Sequence, residues 1–260
     1  MRRDIKGLRS IVTGASSGIG RALAEQLADA GALVVALARR EERLTELAEQ
    51  VRSRGGRIET VAGDVTDDAV RRRLVDVARE QFGGLDLLVN NAGVGAMGLF
   101  EDADPDRLRR VMEVNFFSLV ELTRIALPEL LESSRGMIVN VSSILGRRGV
   151  PHSSEYAASK FAVHGFSESI RAELTRHGID VLVVSPGTTE TEFFDQLIEK
   201  TGEPNWPDHK AVPPSEVARQ TLHAIRRGKH EIVPYFHGKL LLGLNRLSPT
   251  LMDWLMSRYA

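Results

Sequence analysis

The chain contains no cysteine among its 260 residues. Disulfides, thiol nucleophiles and thiolate metal sites are therefore excluded, and a reducing cytoplasm is compatible with the composition. Charge of either sign is not in excess: the formal net charge is −1. That argues against nonspecific nucleic-acid binding, which needs a concentrated basic face. No run approaches 18 apolar residues, so nothing reads as membrane-spanning. The opening Met1-Arg-Arg-Asp-Ile-Lys-Gly7 has no apolar stretch of signal-peptide length, and the expectation is a cytoplasmic protein. The seven histidines include no ligand-spaced pair and no H-E-x-x-H, so no metal site is expected. Ser143 lacks the G-x-S-x-G elbow of a hydrolase nucleophile. Internal repeats and low-complexity segments are missing too. With 42% apolar residues, a single domain over residues 1–260 is expected.

What is present is an alternation of strands and helices. Ser10–Thr13 reads as a short buried strand, followed by a glycine-rich turn and a helix over Arg21–Ala30. Ala32–Leu37 is a continuous apolar run, as expected of a strand buried on both faces. A helix over Glu41–Arg54, a strand over Arg57–Ala62 and a helix capped by Thr66 or Asp67 and reaching Phe82 come next. Leu85–Val89 is the fourth strand. Asp104-Pro105 opens a helix running to Leu131, which Pro128 is expected to kink or close early. Gly136–Val141 is the fifth strand, a helix carries Tyr156 to His177, and Ile179–Val184 is the sixth strand. Residues 188–213 form a connection long enough to be a lid, with a short helix expected over Glu192–Lys200. A helix over Pro214–Arg227, a short strand over His230–Val233 and a tail over 235–260 complete the chain. The tail reads as two amphipathic helices broken at Ser248-Pro249. Such alternation means a parallel sheet with right-handed crossovers.

Chemistry concentrates at a few points. Gly14-Ala-Ser-Ser-Gly18-Ile-Gly20 lies between strand and helix, where free N–H groups and the helix dipole suit a phosphate. Its G-x-x-x-G-x-G spacing differs from the commoner G-x-G-x-x-G. After the second strand stand Ala38, Arg39 and Arg40. A carboxylate here would suit adenosine ribose hydroxyls, and an arginine suits a 2′-phosphate. NADP(H) is the expected cofactor, with NAD(H) admitted; Arg40 itself reads as the surface start of the next helix. Asn90-Asn-Ala-Gly93 follows the fourth strand at its carboxyl end, where ligands bind in open α/β sheets. Tyr156 and Lys160, four apart, share one face of a helix. A phenol ionises near pH ~10, and lowering that by about three units takes roughly 4 kcal/mol. A lysine charge together with a cofactor charge would supply it.

Thr13-Gly-Ala-Ser-Ser-Gly-Ile-Gly20, Asp64, Asn90-Asn-Ala-Gly93, Asn115, Ser143, Tyr156-x-x-x-Lys160 and Pro186-Gly187-x-x-x-Thr191 occur in that order. Over residues 7–233 the chain resembles the classical short-chain dehydrogenases/reductases. The resemblance implies an α/β fold, a Rossmann-type doubly wound parallel sheet in three αβα layers, here with a C-terminal helical extension. It implies that Tyr156 is the general acid in reduction and the base in oxidation. Ser143 rather than Ser142, at thirteen residues before the tyrosine, would bond the substrate oxygen. Lys160 would bond the nicotinamide ribose and lower the Tyr156 pKa, and Asn115 would hold a water of a proton relay. Asp64 would contact adenine, and Asn91 would lie under the adenosine side and steady the central strand. Thr191 and the backbone after Pro186 would hold the carboxamide. Cofactor contacts are implied at Gly14, Ser16, Ser17, Gly18, Ile19, Gly20, Arg39, Asp64, Val65, Asn91, Ala92, Gly93, Tyr156, Lys160, Pro186, Gly187 and Thr191. Ser17 stands where NADP-binding members often carry a basic residue, a departure from the pattern.

Around this centre the readings are looser. Arg147-Arg148 reads as a solvated pair, with attraction of an anionic substrate as the rival. Phe193, Phe194 and Leu197 are either an apolar pocket cover or ordinary core. His152 and His164 read as polar loop and helix residues. The tail would pack over the pocket or a neighbouring subunit, or lie on a membrane surface. The expected protein is an oxidoreductase acting on an apolar ketone, aldehyde or secondary alcohol, assembled as a homodimer or homotetramer. The alternative is a noncatalytic dinucleotide-binding sensor or scaffold.

Overall fold

In a computed structural model, residues 3–201 and 210–259 are described. Pro204 and Pro207 of the expected lid lie outside the described residues. Seven strands form one parallel sheet: β1 (Arg9–Thr13), β2 (Leu33–Ala38), β3 (Arg57–Ala62), β4 (Leu87–Asn90), β5 (Met137–Val141), β6 (Asp180–Val184) and β7 (Glu231–Ile232). Their order is β3-β2-β1-β4-β5-β6-β7, and every pairing is parallel. The order reverses between β1 and β4, which opens a crevice at their carboxyl ends. Central strands such as β4 and β5 are buried along their whole length, whereas edge strand β3 buries only Ile58.

Helices cover both faces. On one face lie α1 (Gly18–Asp29), α2 (Glu41–Ser53) and α7 (Pro214–Arg226), burying Leu23, Leu27, Leu44, Leu47, Val217 and Ile225 against the sheet. On the other lie α3 (Asp68–Phe82), α5 (Ser118–Glu132) and α6 (Ser154–Leu174), which contribute Leu74, Ala78, Leu122, Ala126, Leu130 and Leu174. Asp67 caps α3 by accepting the Ala69 N–H at 2.8 Å, and Gly83 closes it in the left-handed conformation at φ 77°.

Three expectations need correction. The helix expected from Asp104 to Leu131 is interrupted: α4 (Arg107–Met112) passes into a π turn over Glu113–Phe117 before α5 begins. The start also shifts, since Asp106 is the residue before α4 and its N–H donates to Asp104 Oδ1 at 2.7 Å. Pro128 does not close the helix early, because α5 continues to Glu132. Pro128 is exposed, so the carbonyl it leaves unpaired faces water. The helix expected over Glu192–Lys200 is a series of turns. That segment bonds across to another loop: Ile198 N–H donates to Gly95 O at 2.9 Å and Thr201 N–H to Met97 O at 2.8 Å. These cross-chain bonds take the place of helical ones. The tail does form two helices, α8 (Phe236–Leu247) and α9 (Pro249–Met256).

Candidate active site

The crevice at the β1/β4 reversal is a cleft lined from three directions. The turn after β1 gives Gly14, Ser16, Ser17, Gly18 and Ile19. The ends of β2, β3 and β4 give Arg39, Asp64, Val65, Asn91, Ala92 and Gly93. The far wall holds Ser143, Tyr156, Lys160, Pro186, Gly187 and Thr191. Two expected residues do not line it. Gly20 lies behind the turn, and Asn115 is fully buried beneath it.

The turn packs too tightly for side chains. Gly14 has φ 68°, and a Cβ there would come within 2.9 Å of both the Ala92 Cα and the Asn91 Nδ2. A Cβ on Gly20 would strike the Gly14 carbonyl and the same Asn91 amide. Asn91 Nδ2 donates to Thr13 O at 2.9 Å, and the Thr13 hydroxyl accepts the N–H groups of Asn91 and Ala92, each at 3.0 Å. The β4 loop is thereby fastened to the glycine turn. A backbone cradle at the N-terminus of α1, with no side chain to block it, fits the pyrophosphate of a dinucleotide. Thr191 closes over this turn, its Cγ2 within 2.8 Å of where a Gly18 Cβ would be.

Arg40 departs from its expected place at the surface. Its guanidinium turns back onto the cleft, donating to Ser16 Oγ at 3.1 Å, to Ser17 Oγ at 2.8 Å and to Glu192 Oε2 at 2.8 Å. Arg39 lines the same end of the cleft and is exposed. Asp64 lines it too, with Oδ1 accepting the N–H and the hydroxyl of Thr66. Glu192 was not foreseen. Hydrogen bonding from Arg40 holds its carboxyl below the ordinary value.

At the other end, Tyr156 and Lys160 stand on the first turns of α6. Burial pushes the Tyr156 phenol up to about 12, while the Ser143 hydroxyl beside it acts in the opposite sense. Lys160 is buried, donates to Val141 O at 3.1 Å and is brought down to about 8 by desolvation. Its Nζ lies 5.7 Å from the centre of the Tyr156 ring. Burial thus governs the phenol. The two neighbouring serines divide their work. Ser142 Oγ donates to Lys160 O at 3.1 Å, Ser143 Oγ accepts the Leu145 N–H at 3.1 Å, and both residues line the cleft.

Asn115 sits in the π turn between α4 and α5. Turns of this kind are frequent at functional sites. Its Nδ2 donates to Val94 O and to Ser159 Oγ, each at 2.9 Å, and its Oδ1 accepts the Val94 N–H at 2.8 Å. Ser159 in turn donates to Tyr156 O at 2.7 Å. Both amide donors are thus occupied in joining the β4 loop to α6, so only acceptor groups of Asn115 remain to hold a water.

Phe193 covers the cleft, its ring centroid 5.5 Å from that of Tyr156, and Phe193 and Leu197 press on Gly95. Phe194 reaches the cleft but is half exposed. The Arg147-Arg148 pair is not a free solvated pair. Arg147 pairs with Glu168 and Glu231, and Arg148 with Asp253. His164 is buried and shares a 3.1 Å hydrogen bond with Ser185. Among the described residues no cluster of histidine and carboxylates could hold a metal ion, and no helix is long and apolar enough to cross a membrane.

Residues 9–202 match the family described as short chain dehydrogenase. The chain is 33% identical over 222 residues to an uncharacterized oxidoreductase of Staphylococcus saprophyticus, covering 85% of this chain and 92% of that one. It is 34% identical over 243 residues to dehydrogenase/reductase SDR family member 7B of Bos taurus, covering 90% and 75%. A crystal structure of a short chain dehydrogenase/reductase from Burkholderia phymatum, in complex with NAD, superposes with a TM-score of 0.87 at 26% identity and covers 96% of each chain.

Proposed function

This chain belongs to the short-chain dehydrogenase/reductase family and is an oxidoreductase of CH–OH and C=O groups; from that premise we propose an NADP(H)-dependent carbonyl reductase or alcohol dehydrogenase with Tyr156 as its acid/base. The observation that carries the reading is the wall of the cleft, where Tyr156 and Ser143 meet beside a fully buried Lys160. The dinucleotide, when bound, supplies or accepts the hydride, and its oxidised ring brings a positive charge to the site.

Tyr156 gives its hydroxyl proton to the carbonyl oxygen in reduction and takes a proton from the alcohol in oxidation. Ser143 donates a hydrogen bond to the oxygen that gains negative charge. Lys160 holds the nicotinamide ribose and favours the phenolate. Asn115 fixes the α6 backbone at Tyr156 and adds an acceptor for relay water. Gly14, Ser16, Ser17, Gly18, Ile19 and Gly20 form the pyrophosphate turn. Asp64 and Val65 border adenine, Asn91, Ala92 and Gly93 support the adenosine side, and Pro186, Gly187 and Thr191 hold the carboxamide. Phe193, Leu197, Ile144 and Leu145 give the substrate end an apolar lining, which suits a ketone, aldehyde or secondary alcohol with little charge.

NADP(H) is favoured over NAD(H) because two arginines, Arg39 and Arg40, border the cleft where the ribose 2′ position would lie, and Ala38 offers no carboxylate there. The reading extends to a cytoplasmic homodimer or homotetramer, supported by the exposed apolar Leu108, Phe117 and Phe161 on the α4–α6 side. A noncatalytic sensor is disfavoured by the intact Tyr156, Lys160, Ser143 and Asn115. An NADPH-oxidation screen across ketones, aldehydes, quinones and acyl thioesters, with NADH in parallel, tests the reading. Turnover with NADPH supports it; cofactor binding with no turnover anywhere supports the sensor, and a preference for NADH refutes the cofactor assignment.

A further inference from the structure

The two tail helices leave exposed apolar side chains that the fold does not use. In α8 the inward side is short: Gly238 is buried against Ile144 and Tyr235. In α9 the inward residues are Met252 and Met256. Arg148 fixes both helices, donating to Asn245 Oδ1 at 3.2 Å and to Asp253 Oδ1 at 2.6 Å. Opposite that anchored side, Phe236, Leu240, Leu244 and Leu247 recur at intervals of four, four and three, which places them along one stripe of α8. Leu251 and Trp254 are the exposed large apolar residues of α9. All six are exposed, from 43% for Leu244 to 85% for Leu247.

The charged side chains flanking the stripe are cationic. Lys239 and Arg246 are exposed on one flank of the α8 stripe, and the Arg258 guanidinium stacks 3.8 Å above the Trp254 ring. Asp253 is the only acidic side chain from Tyr235 to Tyr259, and Arg148 already pairs with it. A second copy brought face to face would set these cations together, with Asp253 of each copy already held by its own Arg148. A bilayer rich in anionic headgroups answers both features, since acyl chains take up Leu, Phe and Trp while Lys and Arg stay at headgroup level.

We infer that the α8–α9 face is a docking surface for an anionic phospholipid bilayer. It lies beside the cleft, because Ile144 both lines the cleft and touches Gly238. The inference is independent of the reaction assigned to the cleft.

The test is co-sedimentation of the full chain with phosphatidylcholine vesicles, with and without phosphatidylglycerol. Leu247→Glu/Trp254→Glu and Lys239→Glu/Arg246→Glu would be run beside it. All four positions are exposed, so thermal melting and NADPH binding should match the unaltered protein and serve as folding controls. Expected is pelleting at least tenfold greater with phosphatidylglycerol, weakened by salt. It should be lost in Leu247→Glu/Trp254→Glu and strongly reduced in Lys239→Glu/Arg246→Glu. Absence of pelleting at low salt, or pelleting unchanged in both variants, overturns the inference. So does a fall in sedimentation-velocity mass caused by Leu247→Glu/Trp254→Glu, which would identify the face as a contact between copies.

Discussion

Arg107 and Glu155 form a bidentate pair shut away from solvent: Arg107 Nη2 lies 2.8 Å from Glu155 Oε1 and 3.0 Å from Oε2. Glu155 is the residue before Tyr156. The same guanidinium holds Glu199 of the segment over the cleft at 2.9 Å. One buried cation therefore joins α4, the start of α6 and the cover.

Breaking such a pair from one side leaves a buried charge without a partner, at a cost of about 3–5 kcal/mol. Arg107→Met should lower stability by an amount of that order, read as a drop in the urea midpoint. Glu199→Gln leaves the Arg107–Glu155 pair intact. It should cost little stability and instead raise KM with kcat nearly unchanged, as steady-state kinetics would report.

Cofactor choice should respond to Arg40 and Glu192 in opposite directions. Arg40→Ala should weaken NADPH binding by tenfold or more, about 1.4 kcal/mol, with little change for NADH. Glu192→Gln removes a carboxylate that competes for the same guanidinium and should tighten NADPH binding. Fluorescence titration with both cofactors measures each change.

Stability should fall in two steps as pH is lowered. Burial first, then the charge of Arg147, hold the His164 ring at about 4, so it stays neutral in the fold. The unfolded chain protonates it below about 6.5, so stability is full above that value and declines until pH reaches about 4, by up to roughly 3 kcal/mol. Burial alone would raise the Asp86 carboxyl, but hydrogen bonds from Arg9 and Ser133 bring it to about 2. Its contribution is present above about pH 4 and is lost between there and about 2. Denaturant midpoints from pH 8 to 2 would show both steps, and His164→Gln should flatten the upper one.

Asn115 is expected to act on turnover through the α6 backbone. Asn115→Ala removes its bonds to Val94 and Ser159. It should lower kcat at least tenfold while NADPH affinity changes less, because the glycine turn is untouched. Stopped-flow single turnovers beside equilibrium binding would separate the two.

Much of the fold was legible because buried strands and amphipathic helices write their period into the sequence. Arg57–Ala62 emerged with the bounds expected, and the Glu41 helix within a residue. The π turn at Glu113–Phe117 was not legible, since one extra residue in a helical turn leaves no mark on apolar spacing. The segment over 192–200 forms turns and not the expected helix because its Phe193 and Leu197 contact Gly95 and its backbone bonds to the loop after β4. Arg40 was misread because its position starts a helix, while the direction of its side chain is decided by Ser16, Ser17 and Glu192, distant in sequence. The Arg107 clamp likewise joins residues up to 92 positions apart.

In the proposed mechanism the Tyr156 hydroxyl moves the proton. The most direct measurement is Tyr156→Phe, compared with the unaltered protein for turnover of a substrate found in the NADPH screen and for NADPH dissociation constant. The account predicts a fall in kcat of at least 10²-fold, on the order expected for a general acid, with NADPH binding within a few-fold of its original strength. Turnover undiminished in Tyr156→Phe would contradict it.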